Sequence, residues 1–318
     1  MRSTTAAGSR GQAYYVLLAA DEEAARAGHA EVDVHHLLLG LLVTGGASAR
    51  VLSAAGLQLG GAREAQVAVQ QADLAALGVT ATVPPVPRSR TYAAGTAGLR
   101  WSDRARRALA DLPDGAPDTR LLTALLADGR GPARRLLDRA GVDAAAVLAA
   151  IGTVEADVDR VGPPEGGWTA THAQTVAVPR ADVWAVVADP HRRPDWDDTV
   201  ERVRRVHGRS FEALDAIART LSRTGEPVED PGLISTHVLT AVEEGRVLEW
   251  EVRYPARGHT EWLRVELADD GAGCRIGLRH RNGAVGSRLR PLAALGAWSM
   301  RARLRLLTQA VAQTAAAG

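Results

Sequence analysis

Histidine, tyrosine and arginine side chains supply most of the proton-transfer chemistry this sequence offers. In a chain of 318 residues, His280 ends an alternating run of Cys274, Ile276, Leu278 and His280, with Arg275, Arg279 and Arg281 on the opposite face. An imidazole on the apolar face of such a strand can take up or release a proton inside a pocket. His237, Tyr254 and Arg253, on two further alternating segments, are the other weak catalytic candidates. No Ser-His-Asp arrangement, carboxylate pair or metal-ligand spacing accompanies them. A hydrogen-bonded core role is therefore the simpler expectation for His280, and no catalytic residue is assigned.

Other chemistries are excluded by residue type. The chain has no lysine, so all 38 basic residues are arginine, against 37 acids. Without lysine there is no Schiff base for pyridoxal phosphate or aldolase chemistry, and no Walker A phosphate loop. All-arginine usage is read as the mark of a GC-rich genome. The single cysteine, Cys274, rules out an internal disulfide and a cysteine-built zinc cluster. Adjacent helical residues point about 100° apart, so His35 and His36 are expected not to converge on one ion. Neither a metal nor a cofactor is expected.

The alternation also marks a sheet with one buried and one wet face. Along Val247–Tyr254, Leu248, Trp250, Val252 and Tyr254 share one face, and Glu249, Glu251 and Arg253 the other. Val176–Val178, Ile234–Val242, Trp262–Leu267 and Cys274–His280 read as further strands. Arg180–Ala188 reads as a helix, and an amphipathic helix closes the chain through Leu289, Leu292, Gly296, Met300, Leu304, Leu307 and Val311. Phe211–Leu221 is read as an inserted helix, and residues 207–231 as a candidate lid. Six of the seven tryptophans lie at or beyond position 168. Indoles suit ligand sites because they join a large flat surface to one donor. The candidate lining is Trp184, Trp196, Leu248, Trp250, Val252, Tyr254, Trp262, Ile276, Leu278, His280, Trp298 and Met300.

The length fits about two domains. Residues 1–11 are small and polar and are expected to fray. Residues 12–151 carry helical periodicity, broken by a Pro- and Gly-rich linker at about 77–100. A second linker, 152–167, precedes a strand-rich domain over 168–318. The helical half contains a repeat. Leu37–Leu42 reappears as Leu121–Leu126, offset by 84, and Val51–Leu57 as Leu136–Val142, offset by 85. Two blocks held at nearly one spacing argue for duplication of a helical unit. Gly56 and Gly141 fit the position after a helix where φ is positive.

These residues resemble the double-repeat N-terminal domain of Clp ATPases. The resemblance is carried by Glu22-Glu23-Ala24, Gly28-His29, His36-Leu37-Leu38-Leu39-Gly40-Leu41-Leu42 and Trp101-Ser102-Asp103-Arg104-Ala105-Arg106. It implies a docking platform for a protein or peptide, which in that family includes phosphoarginine-tagged substrates. Without a lysine for a Walker A loop, no ATPase module of that family is expected within these 318 residues. Where the family places an acid before the leucine run, this chain has His35 and Thr119. A guanidinium needs a carboxylate partner, so packing and capping are expected there.

Residues 168–315 resemble the START-like (SRPBCC) family of polyketide cyclases, aromatases, Bet v 1-type allergens and lipid-transfer proteins. The carrying residues are Val178-Pro179-Arg180-Ala181-Asp182-Val183-Trp184, Asp189-Pro190 and Pro194-Asp195-Trp196. The resemblance implies an α+β helix-grip fold, a curved antiparallel sheet holding a long last helix, with an apolar cavity between them. The expected class is therefore an all-α double repeat followed by a helix-grip domain.

Near-neutral charge hides an asymmetry. No acid follows Asp270, whereas eight arginines do, so the first 270 residues hold 30 arginines against 37 acids. Pairing with the acidic remainder is the first expectation, ahead of an anionic ligand or a membrane surface. No nucleic-acid motif accompanies the arginines, no segment is long enough to span a bilayer, and the absence of a targeting segment gives a cytoplasmic default. The favoured function is non-enzymatic: a Clp-like half that docks a protein or peptide and a START-like half that binds a hydrophobic or aromatic small molecule. The alternatives are a polyketide cyclase, aromatase or dehydratase, and an adaptor or decoy for Clp machinery.

Overall fold

A computed structural model describes residues 5–79, 99–110, 112–113, 116–153, 170–221, 226–282 and 290–317. Most of both expected linkers, and Leu289, lie outside the described residues. The helical half contains α1 (Thr5–Arg26), β1 (Glu31–Val32), α2 (Val34–Thr44), α3 (Ala47–Ala54), α4 (Leu59–Ala76), β2 (Arg100–Trp101), α5 (Asp103–Ala110), α6 (Asp118–Ala127), α7 (Pro132–Arg139) and α8 (Ala144–Ile151). Helix α1 starts inside the stretch expected to fray. The apolar run of α2 is buried all round, which makes it the central helix. Asp33 caps it by accepting from the Val34 amide at 2.8 Å.

The duplication extends to backbone detail. Gly56 and Gly141 have φ of +93° and +72°. After each, the next amide reaches back to the helix, Leu57 to the Leu52 carbonyl and Val142 to the Leu137 carbonyl, both at 2.9 Å. This is the Schellman closure, which satisfies carbonyls the helix end leaves over. A two-residue parallel pairing of β1 with β2 joins the repeats, Glu31 to Arg100 and Val32 to Trp101.

The C-terminal half contains β3 (Ala170–Val176), α9 (Arg180–Val187), α10 (Arg193–Trp196), β4 (Val200–His207), β5 (Ser210–Asp215), α11 (Ile217–Thr220), β6 (Ile234–Glu243), β7 (Val247–Tyr254), β8 (His259–Asp270), β9 (Gly273–Asn282) and α12 (Arg290–Ala315). Its seven strands run antiparallel in the order β3-β9-β8-β7-β6-β5-β4. Helix α12 packs on β3 and β9, a helix-grip arrangement. The expected helix over Phe211–Leu221 is instead strand β5 followed by the single turn α11. Since β5 is hydrogen-bonded between β4 and β6, the first part of 207–231 belongs to the sheet and is not a lid. Residues 222–225 lie outside the described set.

The halves share one core. Buried residues of α1 to α8 and of β3, α9, β8, β9 and α12 form a single apolar cluster. Backbone bonds cross the junction, from the Leu59 amide to the Ala177 carbonyl at 2.9 Å. The Gln174 side chain donates to the Val43 carbonyl at 2.9 Å, and Arg63 Nη1 to the Gln313 carbonyl at 3.1 Å. A second, smaller cluster, Val200, Phe211, Ala213, Trp250 and Val252, lies on the inner face toward the β4 edge. Among the described residues no single helix is long and apolar enough to cross a membrane. Helices α2 and α3 together reach that length and composition, but they meet at 97° and their apolar residues, Ala54 excepted, are buried.

Candidate functional site

The inner face of the sheet carries a buried polar set beside these apolar clusters. Arg193 on α10 pairs with Asp197 one turn later, at 2.8 Å, with both side chains 3% exposed. From α12, Arg303 reaches Asp197 at 2.9 Å and Asp198 at 3.2 Å. Burial alone would raise the Asp197 carboxyl; Arg193, Arg303 and bonds from Thr199 outweigh it and hold it well below the usual carboxylate range. The Arg193 guanidinium also lies 4.2 Å over the Trp196 ring.

Three histidines continue the set along neighbouring strands. His237 stacks on Phe211 at 4.4 Å and meets the Ser235 hydroxyl at 3.0 Å. Burial, helped by Arg193, lowers it to about 3, so the ring is neutral. His280 Nε2 is 3.3 Å from Glu261, whose other oxygen is 2.9 Å from His259. Burial works to raise Glu261, but bonds from His280 and His259 bring it net below its usual value. Tyr254 is pushed up, chiefly by burial and then by Glu261. Four buried donor or acceptor atoms here have no hydrogen-bond partner among the described residues: His237 Nδ1, Trp250 Nε1, Trp196 Nε1 and Arg193 Nη1. Native interiors rarely leave such groups unmatched.

The expected lining divides. Leu248, Trp250, Val252, Ile276, Leu278, His280 and Trp196 are buried, and Tyr254 packs partly buried against the smaller cluster. Met300 packs partly buried on the main core. Two candidates, Trp262 and Arg253, face outward. Trp262 lies on the outer face, opposite Glu251 and Arg281, with the Arg281 guanidinium 4.2 Å over its ring. Trp184 packs partly buried on the main core and donates to Glu244 at 3.0 Å. Arg253, exposed on the outer face, is engaged by its neighbour Glu251 at 2.8 Å. The side chain of Trp298 lies outside the described set. Residue type and period did not single out Arg193, Asp197, Glu261 and Arg303, because a buried charge reads like a surface one until its partners are placed.

A second polar site lies in the helical half. A cavity of about 530 Å³ is lined by His29, Glu31, Asp33, His35, His36, Gln66, Gln70, Asp73, Arg104 and Arg135, with apolar residues between them. Contrary to the divergence expected of adjacent residues, the His35 and His36 ring centroids are 3.9 Å apart, and His29 is 4.9 Å from His36. The cause is local. His36 folds back so that its Nδ1 accepts the Asp33 amide hydrogen at 2.9 Å, while a turn with Gly28 at φ +68° brings His29 alongside. That bond assigns the His36 hydrogen to Nε2, aimed at His29 Nδ1 2.7 Å away. His29 Nε2 then donates to Gln70 at 3.3 Å. His35 Nε2 is buried with no hydrogen-bond partner among the described residues. Burial lowers His35 to about 4 and His36 to about 2.

Among the described residues Arg303 and Arg279 follow the pairing expectation, whereas Arg305 and Arg281 lie over aromatic rings. Arg303 binds Asp197 and Asp198, Arg279 binds Glu266 at 3.1 Å, and Arg305 lies 4.8 Å over Tyr15 of α1.

A sheet gripping a C-terminal helix, with buried polar groups on the gripped face, defines a helix-grip domain joined to a helical repeat domain. Sequence comparison agrees on both. Residues 167–313 match the family of polyketide cyclase / dehydrase and lipid transport proteins, and residues 11–90 the Clp repeat N-terminal domain. The chain thus carries a Clp repeat domain and a polyketide cyclase-type domain. Similar solved structures include DR_A0006 of Deinococcus radiodurans, 17% identical over 42% of this chain and 95% of that one, with a TM-score of 0.28. CalU16 of Micromonospora echinospora is 14% identical over 45% and 82%, with a TM-score of 0.26. DynU16, of the dynemicin biosynthetic locus, is 17% identical over 46% of each chain, with a TM-score of 0.30. No curated protein matches the sequence.

Proposed function

We propose that the C-terminal domain binds a hydrophobic or aromatic small molecule on the inner face of its sheet, without turnover, and that the helical domain docks a protein or peptide. The observation that carries the ligand reading is the set of unmatched buried atoms, His237 Nδ1, Trp250 Nε1 and Trp196 Nε1, beside two apolar clusters. Such atoms give a mostly apolar ligand its few polar anchors. The docking reading rests on the Clp repeat match, and an adaptor or decoy role toward Clp machinery is its specific form.

The His280–Glu261 contact favours one alternative, a cyclase, aromatase or dehydratase. A carboxylate that orients an imidazole is the arrangement of a general base. One experiment separates the two readings. Lipids and aromatic polyketides are screened by thermal shift, and each stabilising compound is recovered and analysed by mass spectrometry. Binding without turnover predicts compounds recovered unchanged from both the wild type and His280→Ala. Product formed by the wild type and lost in His280→Ala, with binding retained, would replace this reading by the enzymatic one.

A further inference from the structure

We propose that His29, His35 and His36 form a binding site for a divalent transition-metal ion of the zinc class, on the wall of the cavity in the helical half. Each of the three imidazoles offers one nitrogen, and these nitrogens all lie within 4.8 Å of one another. Tetrahedral zinc at 2.0–2.1 Å from nitrogen needs ligand atoms about 3.4 Å apart, so small side-chain rotations close the site. Three features support a cation here. His35 Nε2 is buried and lacks a hydrogen-bond partner among the described residues, so a ligand for it costs no existing bond. Gln70 holds His29 by its other nitrogen at 3.3 Å, the outer support that fixes a metal-binding imidazole. The charged groups facing the cavity are the carboxylates of Glu31, Asp33 and Asp73 against the guanidiniums of Arg104 and Arg135, one more negative charge than positive.

The ion enters where a hydrogen now sits. His36 Nε2–H points at His29 Nδ1, 2.7 Å away. Binding moves the His36 hydrogen from Nε2 to Nδ1 by exchange with solvent, so the ring stays neutral, no net proton is released, and Nε2 presents its lone pair to the ion. The Asp33 amide gives up its bond to Nδ1, while the Asp33 carboxylate still caps α2 by accepting from the Val34 amide. Three imidazoles leave a fourth tetrahedral position open toward the cavity, for water or a carboxylate of a docked peptide. Three imidazoles also suit copper and nickel, and competition between ions decides among them.

The test uses the full-length chain without a histidine tag, dialysed against EDTA and titrated with zinc chloride by calorimetry. The expected result is one saturable equivalent, with visible bands of tetrahedral Co²⁺ when cobalt replaces zinc. His35→Gln and His29→Gln should each weaken binding at least about tenfold, and Gln70→Leu about tenfold through loss of outer support. Circular dichroism confirms folding, and Gln70→Leu carries the test if a histidine variant fails to fold. Absence of a saturable equivalent, or the same affinity in His35→Gln and Gln70→Leu, would overturn the proposal.

Discussion

Asp197 holds the inner-face charges together. It accepts from Arg193, Arg303 and Thr199, and only 3% of its side chain is exposed. Removing one member of a buried ion pair leaves the other charge uncompensated, at a cost of about 3–5 kcal/mol. Asp197→Asn should therefore lose about that much unfolding free energy at pH 7, read by urea denaturation. The folded-state pKa lies below the unfolded one, so this stabilisation is present in full above about pH 4. It is lost as pH falls through the folded value. The wild type should show that acid dependence and Asp197→Asn should lack the Asp197 share of it. Equal stability of the two proteins at pH 7 would show that the network does not hold this end of the sheet.

Helices and strands meet where glycine permits it. Gly45 ends α2 with φ +70° and ψ −155°, a conformation almost confined to glycine. A Cβ there would stand 2.2 Å from the Thr175 carbonyl of β3. Gly45→Ala must move the two halves apart locally as well as strain the backbone, and should lower stability by about 1–3 kcal/mol. Thermal melts measure this; an unchanged melting temperature would mean the halves approach less closely. Much at this scale is legible in sequence. Val247–Tyr254 is a strand over the range its alternation predicts, and the leucine runs at 37–42 and 121–126 became α2 and α6. Strand β4 leaves no period-two signature because Val200–His207 is largely polar and exposed, an edge strand without buried alternation. β5 is ambiguous in sequence because Phe211, Ala213 and Leu214 fit either period over so short a run. The histidine cluster depends on a capping ring and a glycine turn, which spacing does not display.

The whole molecule is one cooperative body in this account. Glu23 of α1 is buried against Arg63 at 2.7 Å, and both bond to Gln313 near the end of α12. Burial tends to raise the Glu23 carboxyl, but Arg63, Arg26 and Gln313 lower it overall. Helix α12 thus grips the sheet on one side and packs on α2 on the other. A shared core of this kind predicts one calorimetric transition, with coincident loss of helix and tryptophan signals. Two resolved transitions would show that the halves fold separately.

The ligand reading places a hydrophobic or aromatic molecule against the gripped face of the sheet. Titrating the full chain with a stabilising aromatic compound, while following tryptophan fluorescence, tests it most directly. The account predicts quenching that saturates at one equivalent and is much reduced in Trp250→Phe, because the Trp250 indole is buried in the smaller cluster with its Nε1 unmatched. Quenching that never saturates, or that Trp250→Phe leaves unchanged, would contradict it.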